Sequence, residues 1–150
     1  MAAKKDAAAR IQPHLAAIVV KFIVYEHLSV TRMPGEEPQQ LSMTWGVEQQ
    51  WTSGTDAIFR VKVDANRNDL HCIATVVIGY TLPDADGLWQ DSDVAQVFAE
   101  RVVIPAVYPY VRERFHHLSL DTGARPLLLG VLDPTSVALH PNAPSVAGDS

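Results

Sequence analysis

Three stretches between residues 41 and 82 alternate apolar and polar side chains, and only short turns separate them. Leu41, Met43, Trp45 and Val47 alternate with Ser42, Thr44, Gly46 and Glu48, and the run continues to Trp51. Ser53-Gly54-Thr55-Asp56 turns the chain into Ala57, Phe59, Val61 and Val63, which alternate with Ile58, Arg60, Lys62 and Asp64. Asn66-Arg67-Asn68-Asp69 turns it again into Leu70–Leu82, where Val76, Ile78 and Tyr80 oppose Thr75, Val77 and Gly79. Period two puts successive side chains on opposite faces, so each stretch is a strand with one apolar face. Parallel strands need a long crossover, so connections this short call for antiparallel neighbours.

The flanks complete the pattern. His14–Val30 is rich in β-branched and aromatic residues and apolar on both faces, so it reads as a strand covered on both sides, by a helix on one and a partner subunit or ligand on the other. Thr31–Gln40 is a loop by Pro34, Gly35 and Pro38, long enough to cross over rather than turn back tightly. Asp93–Leu120 follows helical spacing, with Asp93 and Gln96 fitting a capping box. Within it Pro105 breaks or kinks the helix, Pro109 opens the second piece, and Val111, Phe115 and Leu118 line one side of that piece. Gly123 is a stop, and Pro126–Leu132 is an apolar strip too short for a helix. Residues 1–13 are either a frayed helical turn or a mobile end, closed by Pro13. The expected fold is α+β, a four-stranded antiparallel sheet followed by a long proline-marked helix. It forms one domain over residues 1–133, with 134–150 as a disordered tail rich in proline, serine and alanine.

Several function classes drop out. A net charge of −5 with no clustered basic face gives no footing for a nucleic-acid backbone. The longest apolar run, Leu15–Val20, falls far short of the roughly 20 residues of a membrane span, and no signal-peptide core is present. One cysteine, Cys72, excludes an internal disulfide and suits the cytoplasm. None of the histidines has partners at metal spacing, and no phosphate-cradling loop or nucleophile elbow occurs, so neither cofactor nor metal is expected. A small α+β enzyme using His71, Cys72 or His117 is the rival class, although adjacent strand residues such as His71 and Cys72 face opposite sides. Charged residues make up 19% of the chain, below the average of about 25%, which leaves apolar surface for an interface or a binding face.

One motif is more specific. Tyr108-Pro109-Tyr110-Val111-Arg112-Glu113 lies inside the helix, and Gly123, Pro126, Leu127 and Leu129 follow it in a Gly-x-x-Pro-Leu-x-Leu strip. Lys21-Phe22-Ile23-Val24-Tyr25-Glu26 stands in the first strand. In order and content these resemble the SecB family of export chaperones, over about residues 10–134.

The resemblance implies a nucleotide-independent holdase that assembles as a homotetramer, with helices packed between sheets. Its clients are unfolded precursor proteins held in apolar grooves. Groove candidates are Met33, Met43, Trp45, Trp51, Leu88, Trp89, Leu127, Leu128, Leu129 and Leu132. Candidates for the subunit interface are Phe22, Val107, Tyr108, Val111, Phe115 and Leu118. Among the family's acidic positions for docking the SecA motor, one matches Glu26 while others fall on Phe22 and Ala74. Some SecB-like proteins instead serve one dedicated client, such as the antitoxin of a toxin–antitoxin system. A third possibility is an interaction module whose apolar strips only build an oligomer.

Overall fold

The computed structural model describes residues 2–33, 40–83, 87–130 and 138–140, the side chains of Trp51 and of 138–140 excepted. Its frame is a sheet of five strands, β1 (Val19–Arg32), β2 (Ser42–Ser53), β3 (Asp56–Arg67), β4 (Leu70–Thr81) and β5 (Ala138–His140). Their spatial order is β1-β4-β3-β2-β5. β2, β3 and β4 form the expected antiparallel meander, turning at Gly54, whose φ of 55° is costly for a residue with a Cβ, and at Asn68-Asp69. β1 pairs with β4 rather than with β2, so the chain between them does cross the sheet, giving a Greek-key order.

The fifth strand corrects the four-strand expectation. Gly46–Glu48 of β2 pair in parallel with Ala138–His140, inside the stretch read from sequence as a disordered tail. The other residues of 131–150, with Leu132 among them, lie outside the described residues.

One face of the sheet is buried by helices. Trp45 and Val47 of β2, Ala57 to Ala65 at alternate positions of β3, and Leu70 to Tyr80 at alternate positions of β4 form a single cluster with Val94, Phe98, Ile104, Val107, Val111 and Phe115. Within α2 and α3 those helical positions recur every three or four residues, the spacing that keeps one face on the sheet. Phe59, Tyr80, Trp89 and Phe98 pack edge-on or tilted, with ring centroids 4.8 to 6.2 Å apart.

Helical structure begins earlier than the spacing indicated. α1 (Ala2–Ile11) packs Ala7 and Ile11 against α2 (Ser92–Phe98), and Lys4 pairs with Glu100 at 2.7 Å. The N-cap of α2 is Asp91, not Asp93; its carboxylate accepts from the amides of Asp93 and Val94, and Arg10 pairs with it from α1. A π-helical turn, Ala99–Val103, joins α2 to α3 (Ile104–Asp121). Pro105 sits in the first turn of α3, directly after the irregular turn, whereas Pro109 lies inside α3 and not in its first turn as expected. Pro105 has no N–H for the carbonyl four residues back, and the wider turn directly precedes that gap. Thr122 ends α3, and Gly123 follows at φ 73°.

β1 behaves differently from the other strands. It forms a sheet edge, and Val19, Val20, Phe22 and Val24 are exposed. The apolar second face seen in the sequence is therefore not covered by any of the described residues. Register slips at Lys21 and Glu26 twist this edge. Phe22 lies across Gly79 of β4, where an added Cβ would come within 2.4 Å of the ring. Gly79→Ala is therefore expected to cost at most about 1 kcal/mol, because the ring it meets is the outer end of an exposed side chain that can turn aside. Combining it with Phe22→Ala should recover most of that loss in a denaturation double-mutant cycle, whereas strictly additive effects would show that the ring is not seated on Gly79.

Candidate functional site

The strip after α3 runs extended beneath the helix, and side-chain hydrogen bonds to its backbone hold it there. Ser119 Oγ, fully buried, donates to the His116 carbonyl at 2.7 Å and accepts from the Leu127 amide at 2.9 Å. Arg67, at the β3–β4 turn, donates to the carbonyls of Arg125 at 2.9 Å and Pro126 at 3.4 Å. The Tyr108 hydroxyl donates to the Gly130 carbonyl. Arg32 donates to the Thr122 carbonyl at 3.0 Å, fixing the end of α3 beside β1.

Pinned this way, the strip alternates. Leu127 and Leu129 point into the core at 2% and 1% exposure, and Leu128 stands out at 71%. Beside it opens a cleft of about 350 Å³ lined by Tyr108, Pro109, Arg112, Glu113, His116, Leu127 and Leu128. Tyr108 closes the inner end, its ring 5.7 Å from that of Trp45 on β2. The shallow cleft is mainly apolar, with Arg112, Glu113 and His116 as its charged and titratable lining. It can remove an apolar side chain from water without demanding one shape.

The candidate residues fall into distinct places. Leu128 and Leu127 line the cleft, and Met33 is exposed at the end of β1. Met43 and Leu88 are half-buried against the core. Trp45, Trp89 and Leu129 are buried in the core, at 7%, 3% and 1% exposure. Trp89 is held as a core residue by its rings' contacts and by Nε1 donating to the Thr55 carbonyl at 3.2 Å. The Trp51 side chain and Leu132 lie outside what is described.

Among the interface candidates, Val107, Val111 and Phe115 are fully buried against their own sheet. An apolar helix stripe that covers a sheet spends its side-chain surface on that sheet. Tyr108 and Leu118 are half-buried, and Phe22 is exposed.

Ser119, Arg67 and Asp69 were not singled out by sequence pattern, although they set the geometry of the strip. Asp69 accepts from Arg67 at 2.5 Å and 3.0 Å, orienting the guanidinium towards the strip, and those hydrogen bonds hold its carboxyl below the ordinary carboxylate pKa. The one available signal was the Arg67-Asn68-Asp69 turn itself, which reads equally well as solvated polarity.

The enzyme candidates do not converge. Cys72 faces the core and burial pushes its thiol pKa up to about 11, the opposite of activation. His71, on the other face of the sheet, meets Asp64 at 2.8 Å. His117 is exposed on α3, 3.8 Å from Glu113. Among the described residues no group of three His, Cys, Asp or Glu is placed to hold a metal ion, and no helix is long and apolar enough to cross a membrane. Glu26 lies on the outer face in a bidentate pair with Arg60, both bonds 2.8 Å.

The architecture is that of a helix-backed antiparallel sheet with an extended strip laid under its long helix. A solved structure with the same architecture is the SecB-like chaperone of Mycobacterium tuberculosis in complex with a ChAD peptide from the HigA1 antitoxin. It superposes with a TM-score of 0.66 at 16% identity, over 88% of this chain and 99% of that one. The chain thus has the SecB-like fold that its helix motif implied. A protein of unknown function from Streptococcus agalactiae also matches, at 6% identity and a TM-score of 0.43 over 76% of this chain and 97% of that one. No protein-family model matches the sequence, and no curated protein does.

Two measurements check the pinning. Ser119→Ala leaves the buried Leu127 amide unpaired and is expected to cost about 1–3 kcal/mol, a fall in Tm of roughly 2–4 °C per kcal/mol. An unchanged Tm would mean the strip is not held there. Because the folded pKa of Asp69 is depressed, its contribution is present above the ordinary carboxylate pKa and is lost as pH falls through the depressed value. Asp69→Asn should therefore destabilise the protein at pH 7 and weaken the dependence of stability on pH on the acid side. An unaltered acid limb would contradict this.

Proposed function

We propose that this protein is an ATP-independent cytoplasmic holdase that shields unfolded polypeptide segments, with Leu128 and the cleft beside α3 as part of its client surface. The observation that carries this reading is Leu128, 71% exposed on a strip whose neighbours are buried and whose backbone is fixed at several points. A surface leucine on a mobile loop needs no explanation; one held outward by a buried hydroxyl and an arginine does. A rigid apolar ridge lets an extended client lose apolar surface to water at about 25 cal/mol per Å² while the chaperone itself pays little ordering entropy.

Self-association belongs to the same reading. Val19, Val20 and Val24 are each more than 50% exposed on an edge strand with no partner on its outer side among the described residues. Bare edges of this kind pair with other chains unless they are covered. A second copy covering β1 supplies that cover and extends the homotetramer reading, with Phe22 and its β1 neighbours as the contact rather than the buried stripe of α3.

The client is either a range of unfolded precursors or one dedicated protein. The antitoxin peptide bound by the Mycobacterium SecB-like chaperone favours the second, with an antitoxin segment as client. Docking of the SecA motor is not part of the proposal, since Glu26 is engaged by Arg60 and Phe22 and Ala74 stand at the other positions.

The test is aggregation of an unfolded protein measured by light scattering, without nucleotide, beside the molar mass of the chaperone. Suppression by an oligomer larger than a monomer is expected. Leu128→Ala should weaken client binding roughly three- to tenfold, the share of a leucine side chain's 1.5–3 kcal/mol that is lost, with Tm unchanged. A monomer without suppression, or a Leu128→Ala variant with full affinity, would overturn the assignment.

A further inference from the structure

The helix wall of the cleft beside Leu128 is a stripe of hydrogen-bond donors. Tyr108, Arg112 and His116 follow one another at four-residue spacing on α3, so they share one face of the helix, and all three line the cleft. Tyr108 spends its hydroxyl on the Gly130 carbonyl. Arg112 is exposed and His116 half-buried. The carboxylates of this helix belong to another stripe. Glu113, His117 and Asp121 repeat at the same spacing one residue further round, and they line a separate hollow with Tyr25 of β1. Glu113 stands on the ridge between the two hollows, and its carboxylate lies 3.8 Å from His117 Nε2, a member of the second stripe.

The wall facing Arg112 is apolar and consists of Leu127 and Leu128 on the strip. Arg125 is exposed on the same strip, three residues before Leu128, or about 10 Å along an extended backbone. Residues 104–130 hold three arginines against two acids, in a chain whose net charge is −5. The cleft is thus a locally basic place on an acidic protein.

We propose that the cleft selects client segments in which a carboxylate lies within about three residues of a large apolar side chain, the apolar group seating on Leu128 and the carboxylate taking Arg112. The proposal rests on the holdase reading above and names the client chemistry of the same site. A guanidinium presents a planar fork that matches a carboxylate with two parallel hydrogen bonds. Beside apolar side chains that exclude water, the pairing is stronger than in open solvent. Leucines alone would hold any apolar segment, whereas the arginine chooses among them. Recognition then runs against the protein's overall charge, since a net charge of −5 attracts basic segments at long range and repels acidic ones.

The probes are three fluorescein-labelled peptides of equal length. They share one core of alternating leucine and serine, flanked on both sides by aspartate, by glutamine or by lysine. Each is titrated by fluorescence anisotropy against the full chain. The aspartate peptide should bind about fivefold more tightly than the lysine peptide at 50 mM salt, and the difference should narrow at 500 mM. Arg112→Gln should bring those two peptides within twofold of each other while the glutamine peptide keeps its affinity, a change of selectivity that a loss of folding would not produce. Arg112→Glu should reverse the order. A lysine peptide that binds as tightly as the aspartate peptide, or an aspartate preference that survives both variants, would overturn the proposal and leave the holdase reading standing on the glutamine peptide. If none of the three peptides binds the unaltered chain, the holdase reading fails and takes this proposal with it.

Discussion

The junction at Ser119 governs the helix side of this molecule. One hydroxyl, buried on the inner side of α3, donates to its own helix and accepts from the strip that follows. A buried amide without a partner is costly, so this bond fixes the register of the strip against the helix. Given that register, side-chain alternation does the rest. Leu127 and Leu129 complete the core, and Leu128 has nowhere to go but out. Arg67, held in place by Asp69, ties the same strip to the β3–β4 turn, so sheet, helix and strip form one rigid corner. A surface of this kind differs from a sticky loop because its apolar area is presented at a fixed cost already met in folding.

The sheet has two unlike edges. β1 is long and apolar, and no described residue pairs with its outer side. β2 pairs in parallel with Ala138–His140. Both follow from the Greek-key order, which places β1 beside β4 and leaves β2 at the far side. A simple meander in chain order would have put β1 against β2.

Much of the fold was legible because burial writes itself into spacing. The alternation of Ala57, Phe59, Val61 and Val63 identified the inner face of β3, and the length of the loop after Thr31 anticipated the crossover. The Tyr108–Glu113 motif led to the SecB-like architecture. What failed to read did so for physical reasons. Apolar spacing marks a buried face but not what buries it, so Val107, Val111 and Phe115 looked equally suited to a subunit contact and to the core they occupy. Trp45 and Trp89 were ambiguous in the same way. α2 is capped by Asp91, whose carboxylate takes the amides of Asp93 and Val94, a choice that the Asp93–Gln96 spacing does not contain. β5 has too few residues to show a period. The Ser119 and Arg67 junctions join residues far apart or of unremarkable type, and side-chain-to-backbone bonds leave no pattern in sequence.

Photo-cross-linking from position 128 tests the central claim most directly. A photoreactive phenylalanine analogue is placed there and, in a separate protein, at Lys62, exposed on the outer face of the sheet. With an unfolded client present, the account predicts strong cross-linking from position 128 and little from position 62. Equal capture from both positions, or none from position 128, would contradict it.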